Sequence, residues 1–384
     1  MEAYFDNSAT TVVLPQVAEL VNHIMTVDYG NPSSMHLKGV QAEKYIRQAR
    51  EDIAKTLHCK DKEIIFTSGG TESNNMAIIG ACMAAKRKGK HIITTSVEHA
   101  SVKAVMEFLK GFDFEITYLP VDENGVVSAK DVKNAIREDT ILVSVMMVNN
   151  EVGSVMPIME IGKTIKSIDE SIIFHVDCIQ SYGKYSISPN KMNIDMLSVS
   201  GHKIHGPKGS GFIYIREKTK VRPIIYGGGQ QKNMRSGTEN VPGIAGLALA
   251  SKLAYDNLDS HREKLISLKD YLIDRLKEIE DVRIHSKIGD DGAPHIVNAA
   301  FMGVRSEVLL HTLEDKQIYV SAGSACSSNG NKVSGVLTSM GLETNEIDSS
   351  IRFSFSPLNS KEEIDYAIEV LKEVLPMLRR FTRR

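Results

Sequence analysis

The stretch "SVSGHKIHGPKGSGFIYI", residues 198 to 215, decides how the chain is read. Its beginning, as part of "DMLSVSG", is a short apolar run of the kind found in buried strands. Ser200, His202 and Lys203 end that run and a Gly/Pro-rich turn follows, after which "GSGFIYI" reads as a strand that turns back antiparallel. Parallel-sheet proteins bind ligands at the carboxyl ends of their strands. Lys203 therefore stands where a site belongs, and its hydroxyl and imidazole neighbours suit a phosphate.

Working outward, "EIIFTSG", a helix from Thr71 to about Lys88, "HIITTS", "FEITYL", "ILVSVMMV" and "IIFHVD" repeat the same theme. Continuous apolar strands that alternate with helices predict an α/β fold with a mostly parallel sheet covered on both faces. After about residue 245 the character changes. One long helical segment is expected over 243–280, then strands at "VRIHS", "IVNAAF", "IYVSAG" and "IRFSFS" with helices near 305–315, 333–340 and 360–380. This predicts a smaller α+β domain, with the boundary between 245 and 258.

A chain of 384 residues with 42% apolar and 24% charged residues is an ordinary globular protein, long enough for two domains. Its net charge of −2 argues against a general nucleic-acid or membrane surface. No secretory signal or long apolar run is present, so a cytoplasmic location is expected. The cysteines, Cys59, Cys82, Cys178 and Cys326, form no C-x-x-C pair and no zinc-like spacing. Cys59 and Cys82 read as structural. Cys326 lies in "SAGSACSSNG", among small residues that offer little to bury it, with Gly323 and Gly330 to give the loop freedom.

Other strand ends carry polar groups as well. "FHVDCIQS" places Asp177 after an apolar strand and Gln180 one turn on. A lysine with an acidic partner is what pyridoxal phosphate needs: the amine binds its carbonyl and the carboxylate keeps the pyridine nitrogen protonated. In "TSGGTESNN", Gly69 and Gly70 allow close backbone approach and Thr71 opens a helix whose N–H groups can hold an anion. His99 in "SVEHAS" is a candidate for stacking or proton transfer, and Asn149 and Asn150 in "VNNEVG" for bonds to a ring oxygen. In "SSIRFSFS", Arg352, Ser354 and Ser356 share one face. Arg352 suits either bidentate capture of a carboxylate or a surface ion pair.

Together with "FDNSATT", "YGNPSSMH" and "GGGQQKNMRSGTEN", these motifs resemble the cysteine desulfurases of the NifS/IscS-like group nearly end to end. That group lies within the class V aminotransferases, which are fold-type I (aspartate aminotransferase-like) pyridoxal-phosphate enzymes. The resemblance implies a large cofactor domain over 13–257 and a small domain over 1–12 and 258–384. Lys203 would be the Schiff-base lysine, Asp177 the pyridinium partner and His99 the stacking and acid/base residue. Gln180 and Asn150 would bond the phenolic oxygen, and Gly70, Thr71, Ser200 and His202 the phosphate. Thr238 would reach the phosphate of the other subunit, which implies a homodimer. Arg352, with Asn150, would bind the substrate L-cysteine, and Cys326 would be the nucleophile that becomes a persulfide.

The product sulfur would pass to an acceptor protein, either an iron–sulfur scaffold or a protein of tRNA or thiamine thiolation. No structural metal is implied; a transient iron–sulfur role for Cys326 is the one metal contact the resemblance allows. The "LRRFTRR" ending is shorter than the tail IscS-like members use on a scaffold, which leaves the acceptor open. Cys178, beside Asp177, reads as packing. An aminotransferase, a selenocysteine lyase and a catalytically idle scaffold are the alternative readings.

Overall fold

Strands whose residues are buried on both faces build the larger half of the molecule. The computed structural model describes residues 1–322 and 333–382. A short β1 (Ala3–Tyr4) opens the chain. Then come β2 (Ile64–Thr67), β3 (His91–Thr95), β4 (Glu115–Leu119), β5 (Thr140–Met146), β6 (Ile173–Asp177), β7 (Met196–Ser200) and β8 (Gly211–Ile215). They form one seven-stranded sheet in the order β2-β8-β7-β6-β5-β3-β4. Only β8 runs against its neighbours, as the turn after Lys203 requires. The carboxyl ends of β2, β3, β5, β6 and β7 therefore open on the same side.

The sheet interior is not wholly apolar. Ser144 Oγ on β5 lies 2.9 Å from His175 Nδ1 on β6, and His175 Nε2 lies 2.9 Å from Ser198 Oγ on β7. Burial pushes this imidazole down to about 3, so it is neutral, with one nitrogen donating and the other accepting. His91 makes the same kind of crossing between Thr140 and Thr117, at 2.7 and 2.8 Å.

The other half holds β9 (Val282–Ile284), β10 (Ile296–Phe301), β11 (Ile318–Tyr319), β12 (Ser321–Ala322) and β13 (Ser350–Ser354). Four of these form an antiparallel sheet in the order β12-β13-β10-β9, while β11 pairs in parallel with β1. The expected single helix over 243–280 is two helices, Val241–Asp256 and Leu258–Leu276. Asn257 separates them: its backbone leaves the helical region and its side-chain amide donates to Leu253 O at 3.0 Å, a local bond that competes with the helical ladder. The first helix packs Ile244 and Leu247 into the core of the large sheet. The second packs Leu265, Leu268 and Leu272 with the small sheet.

The chain's first residues join the two halves. Phe5 is fully buried, its ring 5.4 Å from that of Phe355 and 6.3 Å from that of Phe353. Asn7 Nδ2 donates to Ser354 O at 3.0 Å, and the backbone N–H of Ser8 donates to Ser354 Oγ at 2.8 Å. A few residues on, Thr11 N–H and hydroxyl both donate to His202 O at 2.9 Å, across on the large half. Truncation of Phe5 to Ala should remove about 3–5 kcal/mol of stability and lower the thermal midpoint by several degrees in calorimetry. An unchanged midpoint would mean that hydrogen bonds alone hold this strap.

Candidate active site

One cavity of about 350 Å³ lies at the carboxyl ends of the parallel strands, between the two halves. Gly70, Thr71, His99, Asn150, Asp177, Gln180, Ser200, His202, Lys203 and Arg352 all line it. Thr238 does not; it is an exposed residue outside this cavity. Cys326, with Gly323 and Gly330, lies outside the described residues.

Each wall has a local cause. The helix Gly70–Ala85 begins after Gly69, whose φ of 150° is in the region that favours glycine, and no side chain caps its first turn. A Cβ on Gly70 would lie 2.2 Å from Ile179 Cδ1, so a larger residue there would have to displace the Ile179 side chain. The backbone N–H groups of that first turn have no side-chain cap, an arrangement that suits an anion. Ser200 and His202 stand opposite, and His202 Nδ1 is 3.2 Å from Thr10 Oγ1. Burial, with Lys203 and Lys208 nearby, pushes the His202 imidazole down to about 4, so it is neutral.

Asp177 ends β6 with 4% of its surface exposed. Oδ1 accepts from the Ile179 N–H at 2.9 Å and Oδ2 from Asn74 Nδ2 at 2.8 Å. Burial pushes this carboxyl up, while those donors and the facing His99 and Lys203 pull it down. His99 caps the helix Ala100–Lys110: its Nδ1 accepts from the Ser101 N–H at 3.1 Å and lies 2.8 Å from Ser101 Oγ. Asn74 Nδ2 also donates to that oxygen, at 2.9 Å. Nδ1 is thus an acceptor, and the neutral ring that burial favours carries its proton on Nε2.

Lys203 Nζ donates to the carbonyls of Ser8 at 2.5 Å and Ala9 at 2.7 Å. Behind it, Lys184 Nζ donates to Lys203 O at 3.1 Å, and burial pushes Lys184 down to about 7. Arg352 corrects the surface alternative, because only 5% of it is exposed. Nη1 donates to Asn150 O at 2.9 Å, and Nη2 to Asp6 Oδ1 at 2.8 Å and Ser321 Oγ at 3.0 Å. Its Nε is buried without a partner among the described residues.

Asn149 is a second correction. Its side chain donates to Val97 O at 3.1 Å and accepts from the N–H groups of Glu151 and Val152 at 2.8 and 3.0 Å. It shapes the loop, and only Asn150 reaches the cavity. Cys178 is fully buried in the large core and burial raises its thiol, in keeping with a packing role. Ser8, Ala9, Asn74, Ser101 and Glu98 were not singled out from sequence. Asn74 falls one turn inside the helix that Gly70 opens, which places it beside Asp177; "FDNSATT" stood out only as a motif.

A family profile described as "Aminotransferase class-V" matches residues 3–367. The chain belongs to the class V aminotransferase family. It is 44% identical over 376 residues to "Cysteine desulfurase IscS" of Methanosarcina thermophila, covering 98% of this chain and 92% of that protein. A solved structure named "NIFS-LIKE PROTEIN" superposes with a TM-score of 0.93 at 36% identity, over 98% of this chain and all of that one. Another, "SspA in complex with cysteine", gives 0.81 at 36% identity over 93% of this chain and 100% of its own. Among the described residues, no helix is long and apolar enough to cross a membrane.

Beneath the cavity, Glu98 is 3% exposed; its Oε1 accepts from Thr95 Oγ1 at 2.7 Å and Met146 N–H at 3.0 Å. Oε2 has no partner among the described residues. Burial, with Asp177 adding to it, pushes this carboxyl from 4.5 up to about 8. A raised folded pKa contributes stability that is whole below the unfolded value and is lost as pH rises through the folded one. Glu98→Gln cannot ionise, so its thermal midpoint should gain on the parent's between pH 5 and pH 9. Parallel curves for the two proteins would show that Glu98 does not titrate there.

Proposed function

We infer that this chain is a pyridoxal-5′-phosphate-dependent cysteine desulfurase, which converts L-cysteine to L-alanine and leaves the sulfur as a persulfide on Cys326. The observation that carries this reading is one cavity holding a lysine amine, a buried carboxylate, an uncapped helix N-terminus and a buried guanidinium with an unpartnered Nε. That donor set fits the cofactor. Gly70, Thr71, Ser200 and His202 would hold its phosphate, Asp177 its pyridine nitrogen, Gln180 and Asn150 its phenolic oxygen, and His99 the face of its ring. When bound, the cofactor supplies an electron sink for the pair left when a Cα proton is removed.

The chain's own groups do the rest. Lys203 would hold the cofactor's carbonyl carbon, and its Nζ would take the Cα proton of the substrate. Arg352, steadied by Asp6 and the Asn150 carbonyl, orients the L-cysteine carboxylate. The Cys326 thiolate attacks the substrate Sγ: a sulfur–sulfur bond forms, the Cβ–Sγ bond breaks, and the Cβ left behind takes a proton on the way to alanine. Residues 13–257 serve as the cofactor domain, and residues 1–12 with 258–384 as the small domain that carries Cys326.

The working unit is a homodimer in which Thr238 of one subunit reaches the phosphate of the other. In support, Tyr29, Met35, Leu37 and Tyr226 are large apolar side chains left exposed, Met35 at 98%. The persulfide passes in the cytoplasm to an acceptor protein, an iron–sulfur scaffold or a thiolation enzyme of tRNA or thiamine. Cys326 would be only a transient ligand there.

L-Cysteine should give alanine and enzyme-bound persulfide in equal amounts in a single turnover. Cys326→Ala should keep the cofactor's visible absorption and lose persulfide, and Lys203→Ala should lose that absorption band; persulfide transfer by Cys326→Ala would sink the nucleophile assignment. Arg352→Lys keeps the charge but not the fork, so KM for L-cysteine should rise roughly tenfold or more, with a smaller change in kcat. An unchanged KM would place the carboxylate elsewhere.

A further inference from the structure

His295 plays no part in the chemistry above, yet it touches the site. It precedes β10 in the small half and is 1% exposed, and its Nε2 lies 3.2 Å from Oε1 of Gln180, which follows β6 in the large half. Gln180 Nε2 donates to Ser8 O at 3.0 Å, the same carbonyl that accepts from Lys203. A carbonyl can only accept, so this contact fixes which end of the amide is nitrogen. Oε1 must then accept from His295, and the proton of the imidazole belongs on Nε2. His295 Nδ1 is left as a buried acceptor with no partner among the described residues. Burial, with Lys184, Lys269, Arg352 and Lys203 nearby, holds this imidazole well below its ordinary range, so the ring is neutral and a single tautomer satisfies the contacts.

We propose that His295 is a positioning residue of the desulfurase site. Its Nε2–H holds the Gln180 amide with the nitrogen toward Ser8 and the cavity, so that an N–H rather than a carbonyl oxygen meets the cofactor's phenolic oxygen. This inference rests on the cofactor assignment for Gln180 made above. Without the His295 donor only the Ser8 carbonyl resists turning the amide over, so the Nε2 orientation loses one of its two anchors, and a carbonyl oxygen beside a phenolate repels it. Because the donor comes from the small half and the acceptor from the large one, the bond also makes the cofactor's electronic state sensitive to how the halves are seated.

The test is the pH midpoint of the visible absorption band of the holoenzyme. A donated hydrogen bond stabilises the phenolate and lowers that midpoint, so His295→Leu should raise it by about 0.5–1 unit. His295→Gln, which keeps an N–H donor, should return it to near the parent value. Gln180→Ala should raise it by at least as much, and adding His295→Leu to Gln180→Ala should change nothing further. A midpoint unmoved in His295→Leu, or a shift of equal size with and without Gln180, overturns the proposal. Long-range proton–nitrogen NMR of the histidine-labelled parent holoenzyme checks it without any variant: a neutral His295 protonated at Nε2 is expected, and protonation at Nδ1 overturns it. A parent protein with no visible band would instead overturn the cofactor reading itself.

Discussion

Residues 6 to 11 are the piece on which the rest of the site depends. Arg352 donates to Asp6, Lys203 to the carbonyls of Ser8 and Ala9, Gln180 to the Ser8 carbonyl, and Thr11 to the carbonyl of His202. Groups from both halves thus take their positions from one short strap. That strap is held in turn by Phe5 among the small half's aromatic rings and by Asn7 and Ser8 on Ser354. Movement of the strap would move the Arg352 guanidinium and the Lys203 amine together, since both donate to it.

Electrostatics sharpen the arrangement. The histidines packed around the strands, His91, His175, His202 and His295, are all pushed toward the neutral form by burial. They serve as oriented donors and acceptors rather than charges. Asp177, Lys203 and Arg352 line the same cavity, each tied by hydrogen bonds to its neighbours.

Much of this was legible in the residues. Apolar runs of five to seven residues that end in polar ones are the signature of buried parallel strands, so "IIFHVD" and "DMLSVSG" located both Asp177 and Lys203. What stayed hidden depends on long-range contacts. Asn149 and Asn150 are adjacent and chemically identical, and only the turn shows that the first side chain is consumed by Val97, Glu151 and Val152. Ser8 and Ala9 act through backbone carbonyls, which carry no side-chain signal. His295 lies far along the chain from Gln180, and no periodicity links them. The interruption at Asn257 escaped because the residues on both sides of it read as helical.

The Ser144–His175–Ser198 line has a consequence for how the sheet assembles. A neutral imidazole must donate on one side and accept on the other, so the line has a direction and its pairs are not interchangeable. If β6 slid by one residue, Phe174 or Val176 would stand between the hydroxyls and the imidazole would face the opposite layer without a partner. Apolar side chains alone would penalise such a slip only weakly, because both faces of these strands are buried and nearly alike. An unpaired buried imidazole costs about 1–3 kcal/mol. The polar line therefore acts as an alignment key: it selects one register among several that the surrounding valines and isoleucines would tolerate, and so sets the depth at which Asp177 emerges into the cavity.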